Sequence, residues 1–290
     1  MAESIKKQLC ISIEGGGMLG IGPLAFMCRL EEEFGTKLCN LAHAFTGTST
    51  GAIIAACLAE GMSAIDIFDL YKSNLKNIFT KNKSRIFPKQ PEYDNTYLKK
   101  LLQEKFKGNV SDWEKPIYIT TTYMNGQSVE KVWDRGDNDT EKWFAVLTST
   151  AAPTYFDVIM DGNDSYCDGG LWANNPANVV IAGEFKQGNR NLKLLHFNTS
   201  MDTPNTETGN HTMLGWAQYL LSDWIARSSK SPIFVAKAIL GEDFVFNASP
   251  KNGKKFDMDD TSDKTINKVV EIWENYYDSV KDKVKEFMER

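Results

Sequence analysis

The sequence predicts an α/β fold in three layers, with a mainly parallel central sheet and helices on both faces. Short apolar segments typical of strands, such as residues 9–13 and 192–197, alternate along the chain with longer segments of helical apolar spacing. Glycine clusters at residues 15–17 and 47–51 mark two strand-to-helix transitions. With 290 residues, 42% of them hydrophobic, the chain can bury the core of such a fold. We expect one domain over residues 1–290, with a core at about 8–200.

The first half of the chain is predicted to contain two strand–helix units followed by a hairpin. The strand at 9–13 leads through glycines into a helix that begins near Pro23 and ends near Gly35. A second strand ends at Ser49, and its helix ends at Gly61. Two alternating segments, joined by the turn signal Asn125-Gly126, then predict a β-hairpin over residues 116–123 and 128–133.

The second half is predicted to be less regular. Helical spacing occurs at residues 141–152 and 171–187, and a strand follows at 192–197. Prolines and glycines interrupt residues 200–262, which predicts loops and short helices in a variable C-terminal region of about 200–290. Apolar residues at helical spacing over 262–289 then predict an amphipathic helix that packs on the body of the protein.

Composition narrows the possible partners and the compartment. The formal net charge of −5 argues against a nucleic acid polymer as a partner. The longest membrane-like run, residues 52–59, is far shorter than the ~20 residues of a spanning helix. The five scattered cysteines form no C-x-x-C pair, which is typical of a reducing compartment and predicts no zinc site. We expect a cytoplasmic protein that is peripheral at the inner membrane surface when active.

One segment is strongly basic. Residues 72–107 carry ten Lys or Arg and three Asp or Glu, a local balance of +7. A solvated face of an insertion at about 72–110 explains such a charge run, as does a contact surface for anionic lipid or an anionic regulator.

The segment Gly47-Thr48-Ser49-Thr50-Gly51 is a candidate nucleophile elbow. In such an elbow, the serine stands on a sharp turn between strand and helix, and the flanking glycines allow close approach of neighbouring backbone. A glycine-rich turn without chemistry is the alternative. We expect Ser49 to be the nucleophile because the strand before it and the helix after it are both predicted.

A second glycine cluster, Glu14-Gly15-Gly16-Gly17-Met18-Leu19-Gly20, follows the first strand. Its spacing satisfies G-x-G-x-x-G, but a dinucleotide fold would require an acidic residue about 20 positions later, where this chain instead leads into the Ser49 turn. Consecutive glycines at a helix N-terminus also expose backbone amides that can bind a negative oxygen. Two adjacent parallel strands would bring this loop beside Ser49.

Ser49 needs a proton acceptor. The three histidines are His43, His196 and His211, of which the first two are predicted to lie in strands. Asp168 ends a short strand and is followed by two glycines, so direct activation of Ser49 by Asp168 is possible. A triad of Ser49, Asp168 and either His196 or His211 stays open as the alternative, since it has the chain order of α/β-hydrolases.

Taken together, these motifs resemble those of the patatin-like phospholipases. The resemblance rests on the Gly-Gly-Gly-x-x-Gly loop, Gly-Thr-Ser-Thr-Gly, residues 148–156 (TSTAAPTYF) and residues 168–177 (DGGLWANNPA), in the order and approximate spacing of that family. It covers roughly residues 8–185 and implies the three-layer patatin-like fold.

The resemblance also implies a chemistry. A Ser–Asp dyad without histidine would make Ser49 the nucleophile and Asp168 the base, with the amides of Gly15, Gly16 and Gly17 as the oxyanion hole. The reaction would be hydrolysis of acyl esters of membrane phospholipids, without a metal or other cofactor. Some bacterial relatives are phage-defence effectors switched on by a cyclic nucleotide, so such an activator is a possible partner here.

This chain departs from the family pattern at two positions. The family usually has Asp where Glu14 stands and Arg or Lys where Leu19 stands, so a positive charge beside the glycine loop is absent. A catalytically silent lipid- or nucleotide-binding module is therefore the alternative from another functional class.

Overall fold

A single mixed sheet forms the centre of the molecule, and it confirms the predicted α/β class. The computed structural model describes residues 6–82, 91–126, 128–201, 212 and 230–290. Within them, eight strands join in one sheet. The strands are β1 (Gln8–Ile13), β2 (Ala42–Gly47), β3 (Ile117–Met124), β4 (Ser128–Trp133), β5 (Ile159–Asp161), β6 (Asp164–Asp168), β7 (Leu192–Phe197) and β8 (Val245–Ala248).

The centre of the sheet is parallel, as the sequence predicts. β1 pairs in parallel with β2 on one side and with β7 on the other. β2 also pairs in parallel with β3, and β7 with β8. The antiparallel pairs β3–β4, β3–β6 and β5–β6 lie to one side of this centre.

Helices cover both faces of the sheet. Those of the described residues are α1 (Ile21–Phe34), α2 (Leu38–Leu41), α3 (Thr50–Ala59), α4 (Ala64–Ile78), α5 (Thr96–Lys105), α6 (Lys142–Ser149), α7 (Gly170–Ala173), α8 (Ala177–Lys186), α9 (Lys230–Leu240) and α10 (Asp263–Glu289). Because side chains alternate along a strand, Ile11 of β1 packs into the larger core while Cys10 packs into the smaller one. The larger core lies under α1, α3, α4 and α10, and the smaller one under α8 and α9.

The long strand β3 brings two other strands end to end. Ile119 pairs with Gly47 of β2 on one edge and with β4 on the other. Two residues further along, Thr121 pairs with Asp168 of β6 and again with β4. Because a strand has only two edges, β2 and β6 share one edge of β3. They run in opposite directions, so their carboxyl ends face each other.

Several helices begin and end where short-range chemistry dictates. α1 ends at Gly35, whose φ of 60° is the left-handed conformation that favours glycine. The hydroxyl of Ser63 accepts the amide of Asp66 at the start of α4, and Ser262 caps α10 through the amide of Thr265.

Two predicted segments differ in the structure. The helix predicted at 171–187 is instead two helices, α7 and α8, because Asn174-Asn175-Pro176 interrupts it. The variable region contains α9 and a further strand, β8, which adds to the edge of the sheet beside β7. Four residues are too few for a clear alternating pattern, so β8 gave no sequence signal.

The basic segment is partly accounted for by two helices. α4 and α5 bury apolar residues, including Tyr71 and Leu98, in the larger core. Of the basic side chains, Lys76 pairs with Asp263 at 2.9 Å and Lys81 with Glu92 at 3.6 Å. Lys83, Arg85 and Lys89 lie outside the described residues.

The C-terminal helix packs on the body, as predicted. α10 lies against α1 and buries an apolar stripe that includes Val269, Trp273 and Tyr277. The ring of Phe26 in α1 meets those of Trp273 and Tyr277 edge to face.

Among the helices described, none is both long and apolar enough to cross a bilayer. All five cysteines are free thiols, and four of them are buried.

Candidate active site

Ser49 stands on a strained turn between β2 and α3. Its φ of 56° and ψ of −124° are unusual for a residue with a Cβ atom, and such a conformation costs about 1–3 kcal/mol. Glycine is required on both sides of this turn because a side chain there would collide with neighbouring backbone. A Cβ atom on Gly47 would lie 2.1 Å from the carbonyl oxygen of Gly51, and one on Gly51 would lie 2.2 Å from that of Ile13. This is the geometry of a nucleophile elbow, as the sequence predicts.

Asp168 reaches Ser49 because β2 and β6 meet end to end on β3. The side chain of Ser49 lies close enough to the Asp168 carboxyl to lower the pKa of that carboxyl. That carboxyl also accepts the amide of Gly170 at 2.7 Å, and the backbone amide of Asp168 donates to the carbonyl of Ala151 at 3.0 Å. The structure therefore brings the two residues that the sequence analysis paired to the same place.

The carboxyl of Asp168 is almost completely buried, with 4% of the residue exposed. Burial raises the pKa of Asp168 to about 7, although the hydrogen bonds from Gly170 and Ser49 oppose the shift. A carboxylate of ordinary pKa is a weak base at neutral pH. At this raised pKa, Asp168 is well matched to accept a proton from a serine.

The glycine loop lies beside Ser49, as the parallel pairing of β1 and β2 predicts. A Cβ atom on Gly15 would lie 3.1 Å from that of Ser49. The amide of Gly15 already donates to the carbonyl of Asn174, at 3.2 Å. In the described part of the chain, no oxygen accepts from the amide of Gly16 or of Gly17. The amides of Gly16 and Gly17 are therefore available as donors, whereas that of Gly15 is engaged by Asn174.

Three residues that the sequence analysis did not identify hold this loop. The hydroxyl of Thr199 donates to the carbonyl of Gly15 at 2.5 Å, and that of Tyr71 to the carbonyl of Gly17 at 2.5 Å. The carbonyl of Met258 accepts the amide of Met18 at 2.7 Å. They come from three distant segments, so no local pattern could have found them.

Tyr71 also connects the loop to the nucleophile. Its hydroxyl contacts that of Thr50, the residue directly after Ser49. A single phenol thus bridges the glycine loop and the first turn of α3.

The other two motifs support the serine and the acid. Ser149, within the 148–156 motif, accepts the amide of Ser49 on its hydroxyl at 3.0 Å. The hydroxyl of Thr48 donates to the carbonyl of Ala173 at 2.6 Å, which ties α7 to the turn. These contacts explain why both motifs accompany the elbow.

The histidines have other partners. His196 lies on β7, and its ring contacts Ser12 at 3.0 Å and Glu14 at 3.2 Å. His43 lies 2.8 Å from the carboxylate of Glu184. Neither ring is hydrogen-bonded to Ser49 or Asp168, and His211 lies outside the described residues.

Glu14 and Leu19, the two residues that depart from the family pattern, are both buried. Glu14 is buried, and burial raises its pKa, while hydrogen bonds from His196 and Asn175 oppose the shift. Leu19 is buried in the larger core. Across residues 6–82, 91–126, 128–201, 212 and 230–290, no three or more His, Cys, Asp or Glu side chains are grouped to hold a metal ion.

Comparison with known structures supports the fold alone. The structure of ExoU from Pseudomonas aeruginosa, solved in complex with SpcU, is similar to this protein with a TM-score of 0.50. The similarity covers 98% of this chain and 53% of that chain, at 14% sequence identity.

Sequence comparison is more specific. The chain is 30% identical over 199 residues to the intracellular phospholipase A2 of Caenorhabditis elegans, covering 63% of this chain and 17% of that protein. It is 27% identical over 212 residues to the cGAMP-activated phospholipase of Vibrio cholerae, covering 63% of this chain and 60% of that protein. The matches thus span less than two thirds of either relative.

The family model for patatin-like phospholipases matches residues 11–181, a range that contains the glycine loop, Ser49 and Asp168. This is more than half of the chain. The protein therefore belongs to the patatin-like phospholipase family.

Proposed function

We propose that this protein is a serine lipid acyl hydrolase of the phospholipase A type that works through a Ser49–Asp168 dyad. The observation that carries the proposal is that Ser49, on its strained turn, lies beside a buried carboxyl whose pKa is about 7. Membership of the patatin-like phospholipase family supports the same chemistry.

In the first half of the proposed reaction, the Ser49 oxygen attacks the carbonyl carbon of a fatty acyl ester while its proton passes to Asp168. The negative oxygen of the tetrahedral intermediate is stabilised by the amides of Gly16 and Gly17. Backbone amides fixed in this way are well suited to the task, since losing one donor from such a hole costs about 3–4 kcal/mol. The ester bond then breaks, and Asp168 returns the proton to the leaving alcohol.

In the second half, water attacks the acyl-serine and passes a proton to Asp168. The acyl bond to Ser49 breaks, the fatty acid leaves, and the proton returns to the Ser49 oxygen. One carboxyl thus serves in turn as base and acid, and a pKa near neutrality suits both tasks.

The dyad is favoured over a triad because His196 is engaged by Ser12 and Glu14. A dyad enzyme should keep most of its esterase activity in His196→Gln and in His211→Gln. A loss of activity of several hundred-fold in either folded variant would instead support the triad.

The substrate proposed is a phospholipid at a membrane surface. Both relatives compared above are named phospholipases, and the exposed lysines of α4 and α5 provide positive charge for peripheral contact with anionic lipid at the inner surface of the membrane. Lipid analysis of membranes treated with the purified protein tests this. Released fatty acid and lysophospholipid are expected, and their absence with every membrane and activator tested would contradict it.

A cyclic dinucleotide is proposed as the activator, as in a response to viral infection. The relative from Vibrio cholerae is named for activation by cGAMP. Measuring the rate of phospholipid hydrolysis with and without cyclic dinucleotides tests this activation. Equal rates in both conditions would contradict it.

The first prediction is that a fluorophosphonate probe labels Ser49. The probe reacts with an activated serine, so labelling should disappear in Ser49→Ala and fall sharply in Asp168→Asn. The matched controls are Ser165→Ala and Asp164→Asn, which change the same residue types on β6.

Labelling is measured by mass spectrometry with and without cyclic dinucleotides, because a gated site becomes reactive only with its activator. Absence of labelling in every condition would favour the catalytically silent module. Labelling that persists in Ser49→Ala would contradict the assignment of the nucleophile.

A further inference from the structure

A polar cavity lies at the carboxyl ends of β1, β7 and β8, on the side of the sheet covered by α8 and α9. Its volume is about 370 Å³, and its lining includes Glu14, Asn198, Asn247, Ser249 and Ile233. Glu14 directly follows β1, Asn198 directly follows β7, and Asn247 belongs to β8. In α/β sheets, the carboxyl ends of the parallel strands are where ligands bind.

These polar side chains share one face of the sheet because of strand alternation. Ser12 and Glu14 are two residues apart, and both contact the ring of His196. His196 is paired in register with Asn247. Closer to the amino ends of the same strands, this face is apolar and belongs to the smaller core, with Cys10 as an example. The face therefore changes from apolar to polar where the cavity opens.

Three buried oxygen atoms of this lining lack a hydrogen-bond partner. They are Oε2 of Glu14, Oδ1 of Asn198 and Oδ1 of Asn247, as judged over the described residues. Burial raises the pKa of the Glu14 carboxyl, and the hydrogen bonds that oppose this shift come from His196, Asn175 and the amide of Ser200. The two amide oxygens are therefore the clearer acceptors without a donor. Glu14 itself is 1% exposed. A buried acceptor without a donor costs about 1–3 kcal/mol, so three of them around one cavity indicate a ligand that supplies donors.

The chemistry of the lining limits what can bind. Asn175 and Lys230 also line the cavity, and both are engaged by partners of their own. The unpaired atoms, a carboxyl oxygen and two amide carbonyl oxygens, attract N–H groups. The volume falls at the lower end of the range for small-molecule pockets, about 300–1,000 Å³, and is much larger than a single ion requires.

We propose that this cavity binds a small molecule carrying a guanidine-type group, whose clustered N–H donors pair with Glu14, Asn198 and Asn247. Such a group occurs in alkylguanidinium compounds and in the guanine base, and both offer at least three N–H donors on one planar frame. Because Glu14 directly precedes Gly15, the ligand would contact the residue from which the glycine loop begins. The proposal concerns binding, and it stands independently of the hydrolase activity.

Equilibrium binding of two probes, agmatine and guanosine, to the 290-residue protein tests this by calorimetry. Agmatine carries a guanidinium group and guanosine the guanine base, while inosine lacks the exocyclic amine and is the matched weak binder. We expect at least one probe to bind with a Kd of millimolar or below. The affinity should fall about tenfold in Asn247→Leu, which removes one acceptor and keeps the volume.

The control variant is Asn178→Leu, since the Asn178 side chain also has a buried oxygen without a partner but does not line the cavity. It should bind the probes as the parent protein does. Thermal unfolding verifies that both variants are folded.

Three results would overturn the proposal: no binding of either probe, binding unchanged in folded Asn247→Leu, or preferential binding of inorganic phosphate that this variant abolishes. Tighter binding of agmatine would identify the ligand as an alkylguanidinium compound, and tighter binding of guanosine would identify it as a molecule with a guanine base. Fluorophosphonate labelling of Ser49 is measured separately, so failure here is distinguishable from failure of the proposed hydrolase.

Discussion

At the scale of single residues, the site combines two features that oppose folding. Ser49 adopts a positive φ despite its Cβ atom, and Asp168 places a carboxyl in a nearly water-free position. Each costs free energy in the folded state. Both are useful for the proposed chemistry, because the turn exposes the Ser49 oxygen and burial makes Asp168 a stronger base.

Activity should follow the ionisation of Asp168. The base must be deprotonated, and the pKa of Asp168 is about 7, so kcat/KM should rise about tenfold per pH unit below neutrality and level off above it. Initial rates on a neutral, soluble ester between pH 5 and pH 9 measure this. Asp164→Asn should show the same profile, and a flat profile down to pH 5 would contradict Asp168 as the base.

Asp168 should also lower stability as the pH rises. Its folded-state pKa of about 7 lies above the ordinary 3.8, so between these values the folded state holds a proton that the unfolded state has lost. Stability contributed by the protonated carboxyl is therefore lost as the pH rises toward 7.

Asp168→Asn removes this dependence. Its advantage in free energy of unfolding over the parent should grow by about 2–3 kcal/mol from pH 5 to pH 8. Urea unfolding at both values measures it, with Asp164→Asn as the control. A constant difference between the two proteins would show that Asp168 ionises normally.

At the scale of elements, the site is built where secondary structures end. The carboxyl ends of β2 and β6 face each other along one edge of β3, and the glycine loop follows β1. The loop has no regular structure to fix it, so side chains from other elements do so. Tyr71 of α4 has the most direct position, since it touches the loop and the first turn of α3 together.

Tyr71→Phe should therefore lower kcat while leaving the fold intact. The ring stays in the core, but the hydroxyl that holds the carbonyl of Gly17 is lost, and small displacements of positioning groups are costly. We expect kcat to fall about tenfold with little change in KM and in Tm. Tyr97→Phe, which removes a more exposed hydroxyl from α5, is the control and should keep full activity. Equal kcat in both variants would contradict a positioning role for Tyr71.

At the scale of the whole molecule, the ends of the chain stabilise each other. α10 lies across α1, and the buried ammonium of Lys193 in β7 donates to the carbonyls of Phe287 and Met288 near the end of α10. These carbonyls have no partner within the helix, so the lysine acts as a C-terminal cap supplied by the sheet. The segment before α10 also reaches the glycine loop through Met258.

Gly22→Ala should weaken this packing. A Cβ atom on Gly22 would lie 2.1 Å from the indole ring of Trp273, so α1 and α10 would have to separate. We expect a loss of about 1–3 kcal/mol despite the better helix propensity of alanine. Urea unfolding measures it, with Gly253→Ala as the control, because nothing lies within 4 Å of a Cβ atom there. Equal midpoints would show that the two helices adjust without cost.

The sequence alone identified the features that depend on neighbouring residues. The strand, turn and helix around Ser49 are predicted by apolar runs and glycines that lie within about twenty positions of one another. The glycine loop and the amphipathic pattern of α10 are likewise predicted by residues close together in the chain. The order of the four motifs indicated the family. Such signals are local, because spacing along the chain fixes which side chains share a face.

Only the tertiary structure decided how distant segments combine. The approach of Ser49 to Asp168 depends on β2 and β6 sharing one edge of β3, and the raised pKa of Asp168 depends on what buries it. Likewise, the amide of Gly15 is engaged by Asn174 rather than left for an oxyanion. The physical reason is that strand pairing and burial are set by the assembled sheet, whereas motif spacing is set by the chain.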